Sequence, residues 1–193
     1  MLVKNKTNLK LSGNIESKSF AFGGLVAQVD EISASFDLSR NFANVNFACT
    51  GSANIMKAGG VVGAGLMQSE NNMSDGLMDL SQVIASGYVG GIYGEYISSD
   101  LDKKIQYSYS AVEIVSNETA KAGALVGGLG GKLENCMSSQ ELELVGRVFG
   151  TYYQGFGQTC FNANDLGEKY YDDRLGFDES VWNISQEFYP TLK

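Results

Sequence analysis

No histidine occurs in the 193-residue chain, and proline occurs once, at Pro190. The missing imidazole removes Ser-His-Asp and Cys-His nucleophile activation, His-ligated zinc and the commonest general base. One proline against 24 glycines describes a chain of many turns and few breaks. Cys49, Cys136 and Cys160 fall at no metal-ligand spacing such as C-x2-C and leave at least one thiol unpaired; they read as small buried apolar residues. Positive charge is also scarce, with 14 Lys and Arg against 22 Asp and Glu, a net charge of −8 and a pI near 4.5. That balance excludes a nucleic-acid partner, whose phosphates need clustered cations, and disfavours an anionic membrane surface. No apolar run approaches the roughly 20 residues of a membrane-spanning helix, so no membrane insertion is expected, and MLVKNKTNLK lacks the apolar centre of a signal peptide. The expectation is an intracellular assembly protein if Met1 is the native start, and an extracellular or cell-surface module if the segment is excised from a longer protein.

What is present is glycine in blocks. The stretch KAGALVGGLGGK, Lys121 to Lys132, has the look of a phosphate-binding loop, but Leu133 stands where a Walker loop needs a hydroxyl and Val126 where it needs glycine. The dinucleotide pattern G-x-G-x-x-G also fails, because Leu133 and Gln68 occupy its closing position. No cofactor is expected. The block is instead one of four: Phe22-Gly-Gly-Leu-Val-Ala27, Ala58-Gly-Gly-Val-Val-Gly63, Val89-Gly-Gly-Ile-Tyr-Gly94 and Gly123-Ala-Leu-Val-Gly127. Their equivalent positions Gly24, Gly60, Gly91 and Ala124 are spaced 36, 31 and 33 residues apart. A near-constant period in this range marks stacked units that cannot bury their apolar faces singly.

Short period-two runs precede the blocks, Leu9-x-Leu11, Val45-x-Phe47 and Val112-x-Ile114, and a later one is Leu142-x-Leu144; alternation over so few residues indicates strand. A third element follows, Ile32-x-x-Ser-Phe36, Ile105-x-x-Ser-Tyr109 and Leu133-x-x-Cys-Met137. Gln68 to Asp75 reads as a surface loop. The composite is all-β, a parallel β-solenoid of about four to five coils over residues 1–159, with residues 160–193 as a C-terminal aromatic cap. Leu25, Val61, Ile92 and Leu125 are expected to stack inside at about 4.8 Å, with tyrosine and serine rows outside. The repeat positions Gly23, Gly24, Gly59, Gly60, Gly90, Gly91, Gly123 and Gly127 suit close backbone approach or positive φ.

With these residues in view, the repeat resembles the GLUG motif, a Gly-Leu-hydrophobic-Gly core found in tandem in large bacterial surface and secreted proteins. The carriers are Gly24-Leu-Val-Ala27, Gly60-Val-Val-Gly63, Gly91-Ile-Tyr-Gly94 and Ala124-Leu-Val-Gly127, with the ending Trp182…Tyr189-Pro190-Thr-Leu192. Ala27 and Ala124 depart from it at glycine positions. The resemblance implies a β-solenoid of adhesion or surface display with no catalytic residues.

Phe177, Trp182, Phe188 and Tyr189 are bulky enough to cover the open end of a solenoid, with Pro190 beside them. The carboxylates Asp172, Asp173, Asp178 and Glu179, near Arg174, have the spacing of a solvated cluster and not of a glycosidase pair, so a carbohydrate-active β-helix enzyme is the weakest reading. Asn162 to Asp165 offers oxygen donors for calcium without an EF-hand or nonapeptide pattern, and no metal site is assigned. Sequons begin at Asn5, Asn72, Asn117 and Asn183. Two functions remain. One is a non-catalytic adhesive or display module, binding a protein or surface glycan through loops such as Gln68 to Asp75 and Ser98 to Lys104; the other is a structural scaffold subunit that stacks through its N-terminal coil.

Overall fold

The structure, a computed structural model, describes residues 2–29, 37–98, 100, 102–149, 155–156, 160–162, 177–184 and 190–193. Among them are strands and turns but no helix. A short sheet contains Leu2–Val3, Asp37–Ser39, Gln68–Glu70, Lys104–Gln106, Lys132–Glu134 and Gly155–Phe156. A wide sheet contains Lys6–Gly23, Phe42–Gly59, Met73–Gly90, Tyr109–Ser116, Met137–Ser138 and Phe161–Asn162, with Ala120–Gly123 alongside Met73–Gly90. An inner sheet contains Val26–Gln28, Val62–Ala64, Tyr93–Ile97, Val126–Gly130 and Val145–Val148. Every pairing in the three sheets is parallel and joins a strand to its counterpart one coil later. This is the parallel β-solenoid that the repeat predicts; coil one starts at Leu2, coil two at Asp37, coil three at Gln68, coil four at Lys104 and coil five at Lys132.

The expected interior stack is present. Val61, Ile92 and Leu125 are fully buried, Leu25 is half-buried at the open end, and the backbone N–H of each donates to the carbonyl of the next coil at 2.8–3.1 Å. Eighteen residues of straight strand would span about 60 Å. Phe42–Gly59 does not run straight, because a Cβ built on Gly60 would lie 2.8 Å from Ser74, whose counterpart Ala43 begins the strand. The strand doubles back through Gly51 (φ 108°), where its register with coil three shifts, and in coil four Asn117 makes the same reversal explicit by accepting from the backbone N–H of Thr119 and Ala120. Inside this arch lie Val45, Phe47, Cys49, Ala53, Met56 and Ala58, all buried.

A second corner was not anticipated. Lys4, Arg40, Asn71, Tyr107 and Asn135, each the next-to-last residue before a wide-sheet strand, all have φ of 49–57°. The residues that follow them form a ladder. Asn5 N–H donates to Asn41 Oδ1 (2.9 Å), Asn41 N–H to Asn72 Oδ1 (3.1 Å) and Asn72 N–H to Ser108 Oγ (3.2 Å); one coil on, the rung is Cys136, whose N–H donates to Cys160 Sγ (3.5 Å). The side chain of each rung thus satisfies a backbone donor that the sharp bend removes from the sheet.

Three expectations are corrected. Gln68 to Asp75 is no surface loop: Ser69 is buried between Leu38 and Ile105 in the short sheet, Asn72 is a rung, and Met73 opens a wide-sheet strand. Its polar side chains are satisfied inside the corner, which gives core residues a loop-like composition. Leu142-x-Leu144 belongs not to the wide sheet but to the glycine corner, where Leu144 O accepts from Leu125 and Val126, because coil five omits the doubled arm. Tyrosine and serine do not form outer rows: Tyr93, Tyr96, Tyr109, Ser69, Ser74, Ser108, Ser110 and Ser138 are buried. Serine is small enough to face the corner glycines and lends its hydroxyl to backbone, as Ser74 Oγ does to Gly91 O at 2.6 Å. The motif Ile32 to Phe36 lies outside the described residues, and the short-sheet strand of that coil is Asp37–Ser39, with Leu38 in register with Ser69 and through it Ile105.

The C-terminal aromatics are placed along the side of the stack. Phe177, Val181, Trp182 and Leu192 form a second apolar cluster with Phe42, Met73, Tyr109 and Met137, the opening wide-sheet residues of coils two to five. Trp182–Asn183 pairs antiparallel with Thr191–Leu192, and Phe177 meets Trp182 edge to face at 4.7 Å. This segment is a lateral strap and not the end cover expected of Phe177 and Trp182, since it reaches the outward row that each corner leaves bare. Pro190 is buried there, while Tyr189 and Phe188 lie outside the described residues.

Candidate functional site

The glycine blocks fix the geometry of a cleft. A Cβ on Gly94 would sit 2.6 Å from Ala58 N, one on Gly127 2.7 Å from Gly94 O, and one on Gly59 2.7 Å from Gly94 N. Gly23, Gly59, Gly90 and Gly123 of the wide sheet therefore lie backbone to backbone against Gly63, Gly94, Gly127 and Gly146 of the inner sheet, with no room for a side chain. Gly24, Gly60 and Gly91 face Ala43, Ser74 and Ser110 on the other side of the turn. The repeat glycines are thus packing residues of a fold-back, and at these corner positions none takes a positive φ.

Beyond the glycine contact the two sheets diverge. The wide sheet presents Lys57, Tyr88 and Lys121 in one register row, and the inner sheet presents Gln28, Ala64, Glu95, Gly128 and Arg147 in another. Between them lies a cleft of about 420 Å³ lined by Lys57, Tyr88 and Lys121 on one side and Glu95 and Arg147 on the other, with a smaller one of about 150 Å³ beside Gln28, Ala64 and Ile97. Lys57 and Glu95 form an ion pair across the cleft. Tyr88 and Phe149 meet edge to face at 5.3 Å, and the Arg147 guanidinium lies 5.5 Å over the Phe149 ring and 3.5 Å from the Tyr88 hydroxyl. Gly128 makes this possible: a Cβ there would stand 2.8 Å from Tyr88 and 2.9 Å from Phe149. Lys57, Lys121 and Arg147 against Glu95 leave the cleft positive in a chain whose net charge is −8.

None of these residues was singled out from sequence. The signal was available, because Lys57, Tyr88 and Lys121 each stand two residues before the first glycine of a block, and Glu95 and Gly128 five after it. The residues that were singled out are dispersed. Asp178 and Glu179 are exposed on the strap; Asp178 accepts the backbone N–H of Ser180 at 2.7 Å, which holds its carboxyl below the usual range. Asp165, Asp172, Asp173 and Arg174 lie outside the described residues, among which no group of His, Cys, Asp or Glu is arranged to hold a metal ion. Of the predicted binding loops, only Ser98 to Lys104 connects strands, closed by Lys103 and Asp100 at 3.9 Å. No thiol is in a disulfide; burial pushes the Cys136 and Cys49 thiols up, and Cys136 touches Cys160 in the ladder. Asn72 is fully buried, so its sequon is inaccessible in the folded chain. Burial likewise raises the Tyr93 and Tyr96 phenols, whose polar neighbours Ser69 and Ser98 do not reach hydrogen-bond geometry.

Fold and cleft together define a parallel β-solenoid repeat protein with a polar, aromatic-lined lateral groove. Compared with known protein families, curated proteins and solved structures, the chain gives no match.

Proposed function

We propose that the chain is a non-catalytic β-solenoid module of the GLUG type, serving display or adhesion in a cell-surface or secreted protein. The observation that carries this reading is the groove. Rigid ladders hold two rows of side chains in register on one flank, and the backbones of Lys57, Tyr88 and Glu95 are already paired on both sides within their sheets, so recognition there falls to side chains. Its partner is a protein or a surface glycan, and the chemistry requires no cofactor.

One observation favours a second reading, a scaffold subunit. Among the described residues Lys6–Gly23 is an edge strand paired on one side, with Leu9 exposed and Leu11, Ile15 and Phe20 half-buried, the kind of edge on which another chain adds a strand. Light scattering with in-line chromatography separates the two. A display module elutes as a single elongated species whose mass is independent of concentration. Growth into multimers that stops when residues 1–19 are removed would replace the first reading with the second.

A further inference from the structure

We propose that the cleft between Lys57-Tyr88-Lys121 and Glu95-Arg147 binds a saccharide bearing carboxylate groups. The inference rests on the display reading above and names the ligand class for that same groove.

Size comes first. About 420 Å³ falls within the range of roughly 300–1,000 Å³ typical of small-ligand sites. The groove runs along the stack, and Lys57 to Lys121 spans three coils, about 10 Å at one strand spacing per coil.

Charge comes second. Lys57 is already occupied by Glu95, which leaves Lys121 on one wall and Arg147 on the other as cations without a carboxylate among the described residues. Cations on opposite walls suit a ligand carrying more than one anionic group, and a guanidinium offers a fork matched to a carboxylate. An extended phosphate polymer is disfavoured, because its affinity needs many released counterions and the chain is acidic overall.

The third element is the lining. Tyr88, braced edge to face by Phe149 over Gly128, and Ile55 give the cleft an apolar surface for the C–H face of a sugar ring, while Ser86 and Thr119 border it. A peptide strand is a poorer occupant of the groove between Lys57, Tyr88 and Glu95, since the backbones there are paired on both sides within their own sheets.

The test is calorimetry of the full chain with a linear tetrasaccharide of uronic acid residues, its methyl-esterified and uncharged counterpart, and sulfate ion. Binding of the acid form, at least about tenfold weaker for the ester and weakening as salt rises, is the expected result. Arg147→Gln and Lys121→Gln should each reduce it about tenfold or more and Tyr88→Ala comparably, with melting temperatures unchanged, while Lys10→Gln on the exposed edge leaves it intact. Equal binding of acid and ester, equal binding of sulfate alone, or an equal loss in Lys10→Gln would each overturn the proposal. Absence of binding by a chain that scatters as an elongated monomer overturns the saccharide assignment and leaves the display reading standing. Absence of binding by a chain that multimerises through residues 1–19 removes both.

Discussion

Asn41 and Asn72 occupy the same corner of successive coils, and the Asn41 side-chain amide donates to Asn72 Oδ1 at 2.8 Å. Asn72 in turn donates through Nδ2 to Leu38 O and Ser69 Oγ at 2.8 and 2.9 Å, all within a dry corner. Replacing it with alanine strands the donors of Asn41 and the Leu38 carbonyl together. Asn72→Ala is expected to cost about 2–4 kcal/mol, read as a lowered urea midpoint, since each buried unsatisfied group costs about 1–3 kcal/mol. Asn72→Ser should lose less, because Ser108 fills the same rung one coil later. A loss below about 0.5 kcal/mol for Asn72→Ala would mean the ladder is ornamental.

At the other corner the constraint is steric. A methyl on Gly94 meets Ala58 N and O at 2.6 and 2.8 Å, and neither is a side chain that can swing away. Gly94→Ala should cost at least about 3 kcal/mol or abolish soluble expression, since overpacking forces the backbone apart. The equivalent residue of coil one is Ala27, which is exposed, so Ala27→Gly should change stability by about 1 kcal/mol or less. Urea unfolding of the two variants side by side decides it.

Glu134 gives a pH dependence. It accepts from Lys104 at 2.7 Å and Lys132 at 2.5 Å, side chains that stand opposite each other on adjacent strands, and these contacts hold its carboxyl below the ordinary range. A depressed folded-state value contributes stability above the unfolded carboxyl's titration, and that contribution is lost as pH falls through the folded value. Glu134→Gln is therefore expected to be less stable than the parent at pH 7, by no more than about 1 kcal/mol given the partial exposure of the cluster, with the gap closing as pH falls below about 4. Urea midpoints at pH 7 and in acid provide the comparison; a gap that widens in acid contradicts the assignment.

Trp182 is the single tryptophan, and it lies fully buried in the strap. Because the strap touches coils two to five, its fluorescence and the far-ultraviolet signal of the sheets should change in one coincident transition. Phe177→Ala removes its edge-to-face partner and should cost about 3–5 kcal/mol while shifting Trp182 emission to the red. Two separated transitions in the parent chain would mean that the strap and the coils melt independently.

How much of this could be read in advance depended on whether one residue type alone satisfies a position. Gly59 and Gly94 must be glycine because backbone meets backbone, so the block repeats visibly and the coil, its period and its inner stack of Val61, Ile92 and Leu125 follow. The ladder asks only for a side chain that accepts a hydrogen bond, and Asn5, Asn41, Asn72, Ser108 and Cys136 meet that requirement with three residue types at uneven spacings of 36, 31, 36 and 28. No pattern survives to be seen, and the αL residue before it is less constrained still, being Lys, Arg, Asn or Tyr. The groove is illegible for the opposite reason. Lys57, Tyr88 and Lys121 share a register but no common structural requirement, so their residue types differ and the row emerges only once the coils are superposed.

The strap also sets a timetable. A repeat array ordinarily couples each unit to its neighbours alone, and coils can settle one after another as the chain leaves the ribosome. Here the residues that cover Phe42, Met73, Tyr109 and Met137 are among the last of the 193 to be made, and Asp178 comes to rest in the field of Arg40 and Lys4 near the beginning. Until then the nascent stack carries an oily seam along its flank, open to chaperones or to a sister chain, and synthesis of the strap is the event that closes it.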